Sequence, residues 1–177
     1  MGVLTQLLAG QNYPLSPHAS WLPFLDSQRS LKRPERLHVA AVCYRVRGGE
    51  PEFLLVCTRN GRWTFPKGGV DRDATPAAAA AREAYEEAGV KGSVEHIPFA
   101  SYRHSKRRKP RTRNHVVMVH AYLCEVKRLD PPLEDYRTPS WFRADHAKRR
   151  LRKLRSTELA AEIGNVIDRA AQLIQLR

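Results

Sequence analysis

Gly68–Val90 reads GGVDRDATPAAAAAREAYEEAGV, a glycine turn followed by an alanine run and three clustered glutamates. Ala77–Ala81 is a strong helix former with small side chains. Thr75-Pro76 supplies an N-cap followed by proline at the first helical position, and Gly89 a left-handed stop. This punctuation predicts one helix. Its small residues Ala77, Ala80, Ala81, Ala84 and Ala88 form a face that can lie close to a sheet. Glu83 and Glu87 are four apart and Glu83 and Glu86 three apart, so these carboxylates share a face. Like charges at that spacing cost about 0.2–0.5 kcal/mol per pair. A positive partner is therefore expected. Arg82 offsets part of the repulsion, and a hard divalent cation suits the rest; Mg2+ in that role also implies a phosphate ligand.

Upstream, Trp63–Pro66 reads as an apolar strand end that runs into Lys67-Gly68-Gly69. Glycines there let the backbone approach a ligand or metal. The unit is strand, glycine loop, acidic helix. It resembles the Nudix box of the Nudix hydrolases, G-x5-E-x7-R-E-U-x-E-E-x-G-U, where U is a bulky aliphatic residue. Gly68, Arg82, Glu83, Glu86, Glu87, Gly89 and Val90 match in register. Ala84 stands where a larger aliphatic is usual, and Ala74 where the first glutamate belongs. Asp71 and Asp73 are the nearby acids, and the sequence leaves open whether either compensates. The plain alternative is a solvated acidic helix face; the glycine loop, Arg82 and the register argue against it.

The resemblance implies an α/β fold, an α/β/α sandwich with a mixed β-sheet. It further implies metal-assisted hydrolysis of a phosphoanhydride with Mg2+, or Mn2+ in its place. On this reading Glu83, Glu86 and Arg82 carry the catalysis, and Glu83, Glu86, Glu87 and the Gly68 backbone hold metal. Lys67 and Gly69 would contact phosphate. Whether Glu83 is also the general base stays open, and Glu125, Glu134 and Asp135 are further acids that could serve as a ligand or base.

Charge is the second clue. Lysines and arginines number 31 against 18 acids, a formal net charge of +13. The excess is clustered in Arg103–His115 and again in Lys148–Arg155. Such a field attracts polyanions. Arg103, Lys106, Arg111, Arg113 and His115 are the candidate phosphate binders of the first block, which lies in a proline-containing connection between two strands. Tyr102 is its one nearby aromatic, thin support for base stacking on single-stranded RNA. The run FPKGGV…REAYEEAGVKGSV, the basic loop and Ser140-Trp141-Phe142 together resemble the diphosphoinositol polyphosphate phosphohydrolase branch of that family, which includes diadenosine polyphosphate hydrolases. The implied substrate is a polyphosphorylated small molecule. The alternatives are an RNA 5′-pyrophosphohydrolase and a degenerate module that binds a phosphorylated ligand without turnover.

The chain length suits a single catalytic domain with extensions. Residues 1–36 read as an N-terminal extension whose Trp21, Leu22, Phe24 and Leu25 dock on the domain. Residues 37–155 form the domain, and 156–177 a helix with an apolar stripe that packs on it or at a homodimer interface. Strand signal covers Leu37–Val46, Glu52–Thr58, Ser93–Tyr102 and His115–Val126, and helix signal Ala144–Arg155. No apolar run approaches the roughly 20 residues that span a membrane. The start lacks the marks of a secretory signal. Cys43, Cys57 and Cys124, odd in number and in apolar runs, read as buried free thiols in a reducing cytoplasm.

Overall fold

The structure, a computed structural model, describes residues 36–106, 115–153 and 155–177. The expected docking of Trp21, Leu22, Phe24 and Leu25 lies outside them. Strands β1 (His38–Arg47), β2 (Glu50–Cys57), β3 (Trp63–Thr64) and β4 (Lys67–Gly69) lead into helix α1 (Pro76–Ala88). Strands β5 (Val90–Val94), β6 (Ala100–Lys106), β7 (His115–Leu129) and β8 (Thr138–Arg143) follow, then helices α2 (Ala144–Arg152) and α3 (Thr157–Gln175).

The sheet is mixed. Its spine runs β3-β2-β1-β7-β5, with β4 paired to β1, β6 to β7 and β8 to β2. Only the β1–β7 pairing among these is parallel, with Val39 opposite His120 and Cys43 opposite Cys124. Side chains alternate across a strand, so β1 serves two cores at once. Val39, Ala41 and Cys43 pack with the alanines of α1, whereas Ala40, Val42 and Tyr44 pack with Leu151 of α2 and Ile163, Val166, Ile167 and Ala170 of α3. The fold is thus α/β, a sheet with α1 on one face and α2 and α3 on the other.

The alanine face is what seats α1 tightly. Ala77, Ala79, Ala80, Ala84 and Ala88 are buried, with Ala79 taking the place expected of Ala81. Thr75 Oγ1 accepts from the Ala78 amide at 3.2 Å, and Gly89 closes the helix at φ 66°. A side chain at Gly89 would collide with the Asp130 carbonyl, so the turn admits only glycine. The Ser93–Tyr102 stretch is two strands rather than one; Pro98 lies in the link between β5 and β6. Cys43 and Cys124 are buried free thiols, and Cys57 is free and half-buried. No described helix is long and apolar enough to cross a membrane.

Candidate active site

The site forms where β4 passes under the carboxylates of α1. β4 pairs with β1 so that Gly68 lies opposite Val39. Glu83 reaches down from α1 onto this turn, and a Cβ on Gly68 would land on its carboxylate. That is the physical demand for glycine here. His38 Nδ1 donates to the Gly68 carbonyl at 3.2 Å and steadies the turn from the other side.

Arg82 organises the outer edge. Its Nη2 donates to the Gly69 carbonyl at 3.2 Å and to Glu83 Oε1 at 3.3 Å, and its Nε stands 3.9 Å from Glu86 Oε1. Its Nη1 binds Asp71, whose second carboxylate oxygen binds Arg36. Arg36 Nε also donates to the Val70 carbonyl at 3.1 Å. Burial raises the Glu83 carboxyl above the ordinary glutamate value, a shift opposed by Arg82.

Glu87 forms the inner edge. It is buried, accepts from the Lys67 amide at 3.3 Å and pairs with Arg137 Nη2 at 2.5 Å. Arg137 Nε in turn pairs with Glu134 Oε2 at 2.7 Å. Burial pushes the Glu87 carboxyl up to about 7 despite the cations beside it. Burial likewise lowers the Lys67 ammonium, with Glu87, Arg137, Arg155 and Glu83 as its charged neighbours. Among the described residues the buried Tyr102 hydroxyl, Thr64 Oγ1 and Arg137 Nη1 meet no hydrogen-bond partner.

The structure thus brings Lys67, Gly68, Gly69, Arg82, Glu83, Glu86 and Glu87 together. It takes Arg103 elsewhere. Its amide and Nε both donate to Glu162 at 2.7 Å and its Nη2 lies 3.6 Å from Glu158, so its guanidinium clamps α3 to β6 rather than facing the carboxylates. These contacts lend no support to its expected role as a phosphate binder. His115 pairs with Lys106 across β6 and β7. The Lys106 side chain, Arg111 and Arg113 lie outside the described residues. Of the additional acids, Glu134 joins the site through Arg137, whereas Glu125 is tied to Lys127 at 2.7 Å.

Arg137, His38 and Arg36 escaped sequence reasoning. Each lies far along the chain from the residues it serves and belongs to no local pattern. The β8 strand that follows Arg137 was legible only as Ser140-Trp141-Phe142. The loop before it hydrogen-bonds the end of α1, from the Glu134 amide to the Glu86 carbonyl at 3.0 Å. That bond is what delivers Arg137 to Glu87.

The donors fit a hard cation. All are oxygen, Glu83 is already seated on a turn without a Cβ, and Glu86 is half-exposed beside it. Among the described residues no three His, Cys, Asp or Glu side chains are gathered as a metal cluster. Mg2+ makes no such demand, since it commonly binds through one or two carboxylates plus substrate phosphates and keeps several waters. Glu83 and Glu86 are the carboxylates placed to hold it, while Glu87 is shared with Arg137.

Sequence and fold comparisons agree on the class. The NUDIX domain profile matches residues 36–163, and the chain belongs to the NUDIX family. A human relative, diphosphoinositol polyphosphate phosphohydrolase 3-beta, is 34% identical over 114 residues, 61% of this chain and 64% of its own length. The match thus spans less than two thirds of that relative. The Ap4A hydrolase of C. elegans superposes with a TM-score of 0.58 at 21% identity, covering 78% of this chain and 98% of its own. The NUDIX domain of NrtR from Shewanella oneidensis, solved with ADP ribose, superposes with a TM-score of 0.59 at 15% identity, over 90% of this chain and 99% of its own.

Proposed function

We propose that this chain is a divalent-metal-dependent hydrolase of phosphoanhydride bonds in highly phosphorylated small molecules, diadenosine polyphosphates or inositol pyrophosphates. One observation carries the reading: α1 sets the Glu83 carboxylate on the Gly68 backbone and Glu87 on the Lys67 amide, so two carboxylates bracket a glycine turn beside a half-buried lysine. The names of the similar proteins, a diphosphoinositol polyphosphate phosphohydrolase and an Ap4A hydrolase, favour the substrate class. A bound Mg2+ would neutralise charge on the bridging and leaving oxygens. The chain's own contribution is position. Arg82 holds Glu83 in place, Arg137 holds Glu87, and Lys67 supplies a cation for phosphate at the turn.

The test is Mg2+-dependent product release from diadenosine polyphosphates and from inositol pyrophosphates, with Glu83→Gln as control. Turnover abolished in the variant supports the reading, and the ranking of the two substrates names the branch. Absence of turnover on both, with Mg2+ and with Mn2+, would overturn it and turn attention to RNA 5′ ends. Tight binding of such a polyphosphate without turnover would instead favour a ligand-binding module, the reading that the missing glutamate at position 74 supports.

A further inference from the structure

The pattern of the catalytic segment puts a carboxylate at position 74, and this chain has alanine there. The structure nevertheless keeps a carboxylate on Arg82. Asp71 and Ala74 are the first and fourth residues of one turn, closed by the Ala74 amide donating to the Asp71 carbonyl at 3.2 Å. The ends of such a turn lie within about 7 Å of one another. Helical side chains lean toward the helix N-terminus, so Arg82 leans back toward this turn from α1. Both ends of the turn therefore lie on the side of α1 toward which Arg82 leans. Asp71 is the end whose carboxylate meets the guanidinium, binding Arg82 Nη1 with one oxygen and Arg36 with the other. Arg36 is itself fixed to the Val70 carbonyl at 3.1 Å. The chain of contacts then continues from Arg82 Nη2 to the Gly69 carbonyl at 3.2 Å and to Glu83 Oε1 at 3.3 Å.

We propose that Asp71 is a positioning residue that replaces the carboxylate absent at position 74: it anchors Arg82 so that Arg82 holds Glu83 over the Gly68–Gly69 turn. The proposal rests on the hydrolase reading for its catalytic consequence and on the contacts above for its structural one. Asp71 and Arg82 are both exposed enough to be screened by solvent, at 49% and 37% of their side-chain surface. Their pairing therefore adds little to global stability. Its effect falls on where Glu83 sits, and thus on metal affinity and on kcat. A carboxylate that only stabilised the turn would change neither in a folded variant.

The experiment compares the full-length chain with Asp71→Ala, Asp71→Asn, Ala74→Glu and the double variant Asp71→Ala/Ala74→Glu. Three quantities are measured: Mn2+ affinity of the substrate-free protein by electron paramagnetic resonance titration, kcat and KM separately, and thermal melting. Loss of a residue that orients a metal ligand typically costs 10–100-fold in affinity or activity, so Asp71→Ala is expected to lose roughly that in Mn2+ affinity and kcat, with KM and melting temperature close to wild type. The Ala74→Glu change should restore most of the loss in the double variant, because it returns a carboxylate to the other end of the turn. Asp71→Asn, isosteric and neutral, carries the same comparison if the alanine variant does not fold. A folded Asp71 variant with wild-type Mn2+ affinity and kcat overturns the proposal, as does a folded double variant with no recovery. Should the wild-type chain hydrolyse neither substrate class, the hydrolase reading fails by itself. The Mn2+ titration then decides the role of Asp71 alone.

Discussion

Arg137 stands between two carboxylates, 2.5 Å from Glu87 and 2.7 Å from Glu134, with its side chain 11% exposed. Removing one partner of a buried ion pair leaves the other desolvated and unpaired, which costs more than the pair contributes. Arg137→Leu should therefore destabilise the domain by roughly 3 kcal/mol in urea unfolding. A loss under about 1 kcal/mol would show that Glu87 finds another partner or accepts a proton. The proton is a real option for Glu87, whose carboxyl burial has pushed up to about 7. The folded state then holds that proton more tightly than the unfolded chain does. Its stabilising effect is complete below the ordinary glutamate value of 4.5 and is lost as pH rises through about 7. In metal-free protein, the unfolding free energy of wild type relative to Glu87→Gln should fall across this window by up to about 3 kcal/mol. A difference that stays flat would place the Glu87 titration at its ordinary value.

The glycines at the two ends of the catalytic segment should separate function from folding. At Gly68 an added methyl meets the far end of the Glu83 side chain, which can swing away. At Gly89 it meets the backbone of Asp130, and φ is already 66°. On the proposed function, Gly68→Ala should thus displace the Glu83 carboxylate and lower kcat by about 100-fold with little change in melting temperature. Gly89→Ala should instead destabilise the domain by more than about 1 kcal/mol, read by the same melts. The opposite assignment would mean that Glu83 is not free to move. Both glycines were legible in the sequence because the segment's demands are local: a cap, a stop and a spacing of three and four. The sheet between helices was legible only through the segment's resemblance to the Nudix box; β1 and β7 by themselves read simply as strands. What the sequence hid is everything fixed by pairing across the chain. Arg137 reaches Glu87 only because the loop before β8 bonds the end of α1, and charge alone made Arg103 resemble a phosphate ligand. In the structure Arg103 clamps β6 to Glu162 and Glu158 of α3. Arg103→Ala should accordingly lower the melting temperature modestly and leave KM unchanged; a raised KM with an unchanged melt would return the residue to the substrate site.

At the scale of the whole molecule the formal net charge of +13 acts beyond any single contact. Part of the cationic surface is internally neutralised: Lys148 by Asp168 at 2.7 Å, Arg45 by Glu52 at 2.7 Å, and Arg103 by Glu162. Arg149 and Arg152 of α2 and Lys153 at its end stay exposed, and Arg150 lies over the rings of Trp63 and Phe142 at 5.8 and 5.7 Å. Within the site, Lys67 and Arg137 flank Glu87, and Arg155 adds a further half-buried cation. A polyphosphate approaching such a surface is drawn in from a distance set by the Debye length, about 10 Å at 0.1 M salt and about 3 Å at 1 M. A chemical step at the glycine turn would take place among half-buried groups in direct contact, which salt screens less than long-range attraction. Raising ionic strength should therefore depress kcat/KM by about tenfold or more between low salt and 0.5 M, while kcat changes little. The measurement is a steady-state series in NaCl at fixed Mg2+, with a dinucleoside diphosphate, a phosphoanhydride of lower charge, as the comparison substrate. Steering by the whole field requires the salt effect to grow with the number of substrate phosphates. A salt effect equal for both substrates, or one confined to kcat, would locate recognition in the few cations that touch the glycine turn.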